Sequence, residues 1–387
     1  MPPPKQGTLN VGVLFSRSGV TSKIEATLVN AAELAVHQIN RAGGVIGRKI
    51  EICYRDPQSS PKRYAELARQ MTNDGGLRFL FGCYTSACRK AVLPHVEQAN
   101  GILFFPTFYE GFEFSNHCVY SGCVPNQFVV RLIRYMMEHY GKRFYLVGSN
   151  YVFPYETNRI IRDYVSKHGA EVINERYIPL EATKDDIDRV IAEIKDDPDA
   201  ITISTVVGKA ITPFYQRYRE AGIDISKRPI ASLVTAEADV QTMGNSIAAG
   251  HISSASYFQS IVSPENQNFL ADYQTRFGSS AAVSSTTEAV FNQVHLFANA
   301  VERAGSDAAD AVRAALANLQ YLAPQGAISI DEQTHHTRVW PRIARVNDAG
   351  NFEILVESTA PVEPDPYMIF PQDDAWDGQS RDKSVES

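Results

Sequence analysis

Short apolar runs alternate with amphipathic stretches along most of the chain. Residues 9–15 form the first apolar run, and in 25–40 the apolar residues recur at helical spacing. A short apolar run bounded by glycine or proline is typical of a strand buried on both faces of a parallel sheet. Regular alternation of such strands with helices indicates parallel βαβ units. The hydrophobic pattern therefore predicts an α/β fold.

The alternation occurs in two series. The first series of predicted strands and helices lies within residues 9–124, and the second lies within 128–243. Later helices are predicted at 266–277, 286–304 and 308–319, and later strands at 327–330, 339–346 and 352–356. Two series of similar length suggest two similar lobes, to which the later segments return. Residues 371–387 form a polar tail, of which 373–387 is predicted to be disordered.

Composition and charge narrow the class of protein. The chain has 387 residues, of which 44% are hydrophobic, and its net charge is −7. This length allows two domains, and the acidic balance argues against direct binding of nucleic acid. No stretch approaches the ~20 apolar residues of a membrane span, and no hydrophobic signal region precedes the first strand. We therefore predict a cytoplasmic protein, or a periplasmic or extracellular one if a signal peptide has been removed.

The cysteines favour a reduced core. There are five of them, Cys53, Cys83, Cys88, Cys118 and Cys123. An odd number in a large chain favours free thiols over a disulfide framework. A metal site is the alternative, but the close ligand spacing of such sites is absent, so small buried core residues are preferred. We predict neither a metal nor a cofactor.

Two predicted strands end in hydroxyl-bearing and tyrosyl residues. The apolar run 79–81 is followed by Tyr84 and Ser86, and the run 102–105 is followed by Thr107. In open α/β sheets, ligands bind beyond the carboxyl ends of the strands. Hydroxyl groups and aromatic rings with few charges among them predict a site for a small, neutral, polar ligand. The alternative is that these hydroxyls only cap a helix or a turn.

Motifs of catalysis are absent from the sequence. It contains no GxSxG, HExxH, CxxC or EF-hand pattern. Ser86 with Lys90, or Cys83, could supply a nucleophile, but a cap role suits Ser86 better and Cys83 would need an activating neighbour. His335 and His336 are adjacent in an extended segment and would face opposite sides, so they cannot readily share a metal. We predict a binding protein, and an amide-processing enzyme is the lower-ranked alternative.

Several segments resemble those of a known family. They are Gly-Cys-Tyr-Thr-Ser at 82–86, Arg-Lys-Ala-Val-Leu-Pro at 89–94, Pro-Thr-Phe-Tyr-Glu-Gly at 106–111, Pro-Asn-Gln at 125–127 and Gly-Ser-Asn-Tyr-Val-Phe-Pro at 148–154. They are similar to the type I periplasmic-binding-protein superfamily, in its branch for urea and short aliphatic amides. Further segments, at 205–208, 231–237 and 364–367, look closest to the amide-sensing negative regulator of aliphatic amidase operons.

The resemblance implies a two-lobed architecture. The family has two Rossmann-like lobes of parallel sheet flanked by helices, joined by three crossovers, with the ligand clamped between them. Lobe one would comprise residues 1–124 and 253–330, and lobe two 125–252 and 331–370. Ligand is expected to favour the closed state, because only that state uses both lobes.

The resemblance also implies the ligand-binding residues. Tyr84, Ser86 and Thr107 match ligand-facing positions of lobe one, and Tyr151, Val207 and Thr235 match those of lobe two. Tyr109 is included as an aromatic wall, with core packing as the alternative for it and for Tyr84.

This chain departs from the family pattern at two neighbouring positions. Asn150 stands where relatives commonly have Asp, and Tyr155 stands where they often have Arg. An amide both donates and accepts, whereas a carboxylate only accepts, so Asn150 would alter the ligand preference if it reaches the ligand.

Two functions follow from the resemblance. The first is a sensor of short amides or urea, whose ligand state would control a partner, an RNA-binding antiterminator protein. The alternative is the solute-binding subunit of a urea or amide ABC importer, whose partner would be the permease. The absence of a signal region and the later segments favour the sensor.

Overall fold

The computed structural model describes residues 7–369 and the backbone of Gln379–Ser380. Two compact units are present. The first comprises the chain up to Tyr109 together with Glu113–Cys123 and Val262–Val339, and the second comprises Glu110–Phe112, Val124–Ile261 and the chain from Trp340 onward. The predicted α/β class with two lobes is confirmed. Apart from Gln379–Ser380, the predicted tail 371–387 lies outside the described residues.

The first unit is built on a five-stranded, wholly parallel sheet in the order β2-β1-β3-β4-β5. Its strands are β1 (Thr8–Leu14), β2 (Lys49–Arg55), β3 (Phe79–Gly82), β4 (Ile102–Phe105) and β5 (Cys118–Tyr120). Its helices are α1 (Ser22–Arg41), α2 (Pro61–Arg69), α3 (Ser86–Gln98), α10 (Pro264–Phe277), α11 (Ser285–Ala304) and α12 (Ala309–Leu316). A small antiparallel sheet of β11 (Gln320–Ala323), β12 (Gly326–Ile330) and β13 (Thr337–Arg338) completes it.

The second unit contains an eight-stranded sheet in the order β16-β15-β14-β10-β9-β8-β6-β7. Its parallel strands are β6 (Arg143–Ser149), β7 (Glu171–Ile178), β8 (Ile201–Thr205), β9 (Ala231–Ser232) and β10 (Ile252–Ala255), and its antiparallel edge consists of β14 (Arg342–Val346), β15 (Phe352–Glu357) and β16 (Gln379–Ser380). Its helices are α4 (Pro125–His139), α5 (Val152–Lys167), α6 (Lys184–Asp196), α7 (Ile211–Glu220), α8 (Glu237–Met243) and α9 (Asn245–Ala248).

The boundaries of the units differ from those predicted. Apart from the three residues Glu110–Phe112, which are assigned to the second unit, the chain passes between the units after Cys123, after Ile261 and after Val339. The prediction placed the second passage at 252/253, but β10 pairs with β9 and β14 and therefore belongs to the second sheet. The third passage was predicted at 330/331, whereas β13 still pairs with β12 in the first unit. Both differences arise from strand pairing over long sequence distances, which local patterns do not contain.

Local sequence signals explain where most helices start. Thr85, Thr183 and Ser284 each accept a hydrogen bond from a backbone N–H in the first turn of the following helix. Such caps satisfy donors that the helix itself leaves unpaired. Pro61 and Pro264 occupy first helical positions, where the missing N–H costs nothing. Among the described residues, no helix is long and apolar enough to cross a membrane.

One close backbone approach fixes the loop after β4. A Cβ atom on Gly122 would lie 2.1 Å from the carbonyl carbon of Thr107 and 2.2 Å from the nitrogen of Phe108. No side chain fits at this distance, so only glycine lets the segment after β5 lie against the Thr107–Phe108 peptide. Gly122 thereby helps to hold Thr107 at the end of its strand.

We expect Gly122→Ala to lower the free energy of unfolding by about 3 kcal/mol, because two backbone segments would have to separate. Gly169→Ala is the matched control, since Gly169 has a φ of +69° but no atom within 4 Å of the added carbon. The control should cost only about 1 kcal/mol of backbone strain. Denaturant unfolding measures both changes, and an equal or smaller loss for Gly122→Ala would contradict the close approach.

Candidate ligand-binding site

The first unit brings two predicted hydroxyls to one edge of its sheet. β3 and β4 are parallel neighbours, and their carboxyl ends lead to Ser86 and Thr107. Cys83, with a φ of +71°, turns the chain out of β3. Thr85 then caps α3, so Ser86 is the first helical residue and the expectation that Ser86 itself could be the cap is wrong. Tyr84 is partly exposed at the same place.

The two hydroxyls differ in how they are satisfied. Ser86 is 6% exposed, and its Oγ accepts a hydrogen bond of 3.3 Å from Nη1 of Arg89. Thr107 is also 6% exposed, but its Oγ1 has no hydrogen-bond partner in the described part of the chain. A buried hydroxyl without a partner costs about 1–3 kcal/mol and calls for an explanation. A ligand hydrogen bond to Thr107 would remove that cost.

Tyr109 lies in the core of the first unit. It is 1% exposed, and its hydroxyl is 2.6 Å from Nε2 of His336 and 3.1 Å from the backbone oxygen of Glu113. Its ring lies 4.4 Å from the guanidinium carbon of Arg89. These contacts agree with the core-packing alternative, and the role of Tyr109 as an aromatic wall of the site stays a prediction.

The second unit gathers its predicted residues in the same way. β6, β8 and β9 are parallel neighbours, and their carboxyl ends lead to Tyr151, Val207 and Thr235. Tyr151 occupies the N-cap position of α5 and is partly exposed. Val207 is also partly exposed, and its N–H donates to Ser149 Oγ at 3.1 Å. The sheet topology thus brings these three residues to one edge.

Thr235 and Asn150 both have protein partners. The hydroxyl of Thr235 is 2.9 Å from the hydroxyl of Tyr215 and donates to Ser232 Oγ at 2.8 Å. This hydroxyl is therefore part of an internal hydrogen-bond network, and its contact with a ligand stays a prediction. Asn150 is exposed, and its Oδ1 accepts from the hydroxyl of Tyr155 at 3.0 Å. The two departures from the family pattern thus contact each other.

Glu237 is a functional candidate to which the sequence analysis gave no role. It is the first residue of α8, just beyond the carboxyl end of β9, and its Oε1 accepts from the N–H of Gln259 at 2.9 Å. Burial raises the pKa of its carboxyl to about 7, despite that hydrogen bond. An acid a few residues after a predicted strand, at the edge where α/β folds bind ligands, was the signal that could have identified it.

The cysteines lack the features of nucleophiles. Cys83 is fully buried, and burial raises the pKa of its thiol well above the usual value. Burial likewise raises the pKa of Cys88 to about 11. A thiolate is the reactive form, so neither environment activates sulfur. Within residues 7–369, no group of three or more His, Cys, Asp or Glu side chains could hold a metal ion.

Comparison with known proteins identifies the family. The model of the periplasmic binding protein domain matches residues 9–373. The chain belongs to the periplasmic binding protein family. A relative from Brucella melitensis, Leu/Ile/Val-binding protein homolog 6, is 24% identical over 304 residues, which cover 74% of this chain and 75% of the relative.

Solved structures of this family share the fold. The solute binding protein of an ABC transporter from Rhodopseudomonas palustris HaA2, in complex with p-hydroxybenzoic acid, superposes with a TM-score of 0.84 at 21% identity, covering 92% of this chain and 98% of that one. A branched-chain amino acid transporter substrate binding protein from Streptococcus pneumoniae, in complex with isoleucine, gives a TM-score of 0.77 at 21% identity, with coverages of 89% and 98%. At this identity, the likeness establishes the fold.

These comparisons change two of the expectations. The prediction of a cytoplasmic protein is wrong, because the family to which the chain belongs is that of periplasmic binding proteins. The relatives described above are binding proteins, which agrees with the non-enzymatic prediction at the level of the family. They give no support to an antiterminator partner, and they do not distinguish an amide from other small ligands.

We expect the thiols of the native periplasmic binding protein to differ sharply in reactivity. Cys53 is partly exposed on the edge strand β2, whereas the other four cysteines are buried. An aromatic disulfide reagent at pH 8 should therefore titrate one thiol rapidly and the rest only upon unfolding. Cys53→Ser should abolish the rapid phase. Rapid labelling of Cys83, located by mass spectrometry, would instead support a reactive thiol at the strand end.

Proposed function

We propose that this protein is the solute-binding subunit of an ABC importer, and that its ligand is urea or a short aliphatic amide. The observation that carries the proposal is the buried hydroxyl of Thr107, which has no hydrogen-bond partner among the described residues; the hydroxyl of Ser86 is buried as well. Both residues follow neighbouring parallel strands, at the edge where α/β folds bind ligands. The importer assignment rests on the similarity to solute-binding proteins of ABC transporters.

The chemistry of the candidate residues suits an amide. An amide carbonyl needs donors and its NH2 group needs acceptors, and hydroxyl groups can act as either. Thr107 offers such a group without a charge, and Ser86 offers a second whose position is held by Arg89. Each hydrogen bond nets only about 0.5–1.5 kcal/mol, whereas an unpaired buried group costs about 1–3 kcal/mol. Selectivity would therefore come mainly from groups that a wrong ligand leaves unpaired.

An amino acid is the second candidate ligand. Its ammonium group would need an anionic partner, and Glu237 is an acid at the strand edge of the second unit. Because the pKa of Glu237 is raised to about 7, the carboxyl is largely protonated in mildly acidic solution. An ammonium ligand would favour the ionised form and release a proton on binding, whereas a neutral amide has no such requirement. The Leu/Ile/Val-binding relative favours this candidate.

A panel of ligands separates the two candidates. Thermal shift and calorimetry with urea, formamide, acetamide, propionamide, isoleucine and 4-hydroxybenzoate should give the largest response with one of the amides or urea. At pH 6, the enthalpy of amide binding should be the same in buffers of different ionisation enthalpy. Binding of isoleucine alone, with a buffer-dependent enthalpy that Glu237→Gln abolishes, would replace the amide by an amino acid. Release of ammonia from the amides would contradict a binding protein altogether.

The partner is tested separately from the ligand. An importer subunit requires a permease and an ATPase, and their genes are expected beside the gene for this protein. A neighbourhood that instead contains an amidase and an antiterminator would contradict the importer assignment. This outcome would leave the ligand proposal untouched, because the same pocket chemistry serves either partner.

We expect Thr107→Val to separate stability from binding. The substitution removes a buried hydroxyl that has no partner within residues 7–369, so the unliganded protein should keep its stability or gain about 1 kcal/mol. Affinity for acetamide should fall about tenfold, which corresponds to one lost hydrogen bond. Chemical denaturation and calorimetry measure the two effects.

Thr157→Val is the matched control. Thr157 is a buried residue of α5 whose Oγ1 likewise has no partner in the described structure, and it is not among the candidate ligand residues. Thr157→Val should change the stability of the unliganded protein by a similar amount and leave the affinity for acetamide unchanged. Equal affinities of wild type and Thr107→Val for every ligand that binds would remove Thr107 from the site.

A further inference from the structure

Arg89 is a charged residue in an unfavourable position. Its side chain is 0% exposed, and it lies in the first turn of α3. A buried cation has lost its hydration, and a positive charge near a helix N-terminus also opposes the helix dipole. An apolar residue of similar size would stabilise the helix and the core as well as Arg89 does. The position of Arg89 therefore calls for a role beyond folding.

The guanidinium of Arg89 is held on several sides. It makes two hydrogen bonds to the carboxylate of Glu113, from Nε at 2.6 Å and from Nη2 at 3.2 Å. The rings of Phe105 and Tyr109 lie 4.5 Å and 4.4 Å from its carbon, close enough for cation–π attraction. A paired carboxylate and flanking rings leave the planar group little freedom to rotate.

The same group contacts both segments that carry the candidate hydroxyls. Nη1 donates to Ser86 Oγ at 3.3 Å, one helical turn before Arg89. Phe105 and Tyr109, whose perpendicular rings both pack against the guanidinium, stand two residues before and two residues after Thr107. One rigid cation thus fixes the start of α3 and the loop after β4 relative to each other.

We propose that Arg89 is the positioning residue for this half of the site: it orients the Ser86 hydroxyl and holds the Thr107 loop at the distance the ligand requires. The inference rests on the proposed function, because it assumes that Ser86 and Thr107 bind the ligand. Arg89 acts through these two residues and does not touch the ligand itself. Its charge is balanced by Glu113, so it adds no net attraction for anions.

The surrounding residues make the arrangement stiff. Tyr120 stacks on the ring of His336 with centroids 4.2 Å apart, and its hydroxyl donates to Oε1 of Glu113 at 3.3 Å. Nδ1 of His336 is 2.7 Å from the backbone oxygen of Thr334, and its Nε2 is 2.6 Å from the hydroxyl of Tyr109. Glu113, the partner of Arg89, is therefore itself fixed. A positioning role requires such rigidity, because a mobile cation would not define where Ser86 points.

The test removes the pair together, because Arg89→Met alone would leave the Glu113 carboxylate buried without its cation. The variant Arg89→Met/Glu113→Gln should fold, and its affinity for acetamide should fall at least about tenfold.

The variant Arg48→Met/Asp307→Asn is the control. Arg48 Nη1 contacts Asp307 at 2.6 Å in the same unit, but beside Thr8, at the amino end of the sheet. The affinity of this control variant for acetamide should equal that of wild type.

Two further measurements exclude a merely structural role. In a Ser86→Ala/Thr107→Val background, the change at Arg89 and Glu113 should have little additional effect on affinity, because the residues it positions are gone. A full additional loss in that background would contradict the inference. A crystal structure of the ligand-free Arg89→Met/Glu113→Gln variant should show a displaced Ser86 side chain or Thr107 loop. Unchanged positions of both would overturn the inference whichever ligand binds.

Failure of the proposed function has a different signature. If wild type binds isoleucine and not acetamide, the amide proposal fails, and the same variants are then titrated with isoleucine. If wild type binds acetamide and the Arg89→Met/Glu113→Gln variant binds it equally well, the proposed function stands and the inference about Arg89 fails.

Discussion

Parallel pairing of strands is the constraint from which the rest of this structure follows. A parallel strand can follow another only through a crossover, and here the crossovers are mostly helices that cover the faces of the sheets. The inner strands β3 and β4 are therefore apolar, and every residue in them is buried. Their polar neighbours along the chain lie in the loops at the strand ends. Because neighbouring parallel strands end at the same edge, residues far apart in sequence collect there without any direct sequence signal.

Whether a hydroxyl at such an edge is already satisfied decides what it can do. Thr107 and Thr235 are both buried threonines that follow a parallel strand, and sequence alone treats them alike. The hydroxyl of Thr235 has two protein partners, whereas that of Thr107 has none in the described residues. A hydroxyl that is hydrogen-bonded within the protein adds rigidity. A buried hydroxyl without such a partner carries a free-energy cost that a ligand can remove. The structure therefore points to Thr107 more strongly than the motif did.

Buried charge plays two different roles in the two units. In the first, the charge of Arg89 is neutralised by Glu113 and enclosed by aromatic rings, so it can position neighbours without attracting ions. In the second, Glu237 accepts a backbone hydrogen bond, and its raised pKa reflects burial rather than a charged partner. An acid of this kind can serve a neutral or a cationic ligand according to its protonation. Proton release on binding therefore has to be measured together with affinity, in order to distinguish a neutral ligand from a cationic one.

The sequence by itself determined the fold class, and it named the strand ends at which the candidate ligand residues lie. Periodicity predicted helices at 266–277 and 286–304, which begin within two residues of α10 and α11 and end where those helices end. Local sequence suffices to predict such helices and strands, because a capping residue or an apolar run depends only on residues a few positions away. The two-residue strand β13 escaped prediction, since its pairing with β12 rather than its composition makes it a strand.

Only the tertiary structure shows which candidate side chains already have hydrogen-bond partners within the protein. It placed the hydroxyl of Tyr109 against His336, which is distant in sequence, and it packed the guanidinium of Arg89 against the rings of Phe105 and Tyr109. No pattern of residue types contains these contacts, because hydrogen bonds and burial depend on which segments meet in three dimensions. Sequence could name Ser86 and Thr107 as candidates. Only packing determined that one hydroxyl is held by a buried cation and that the other lacks a protein partner.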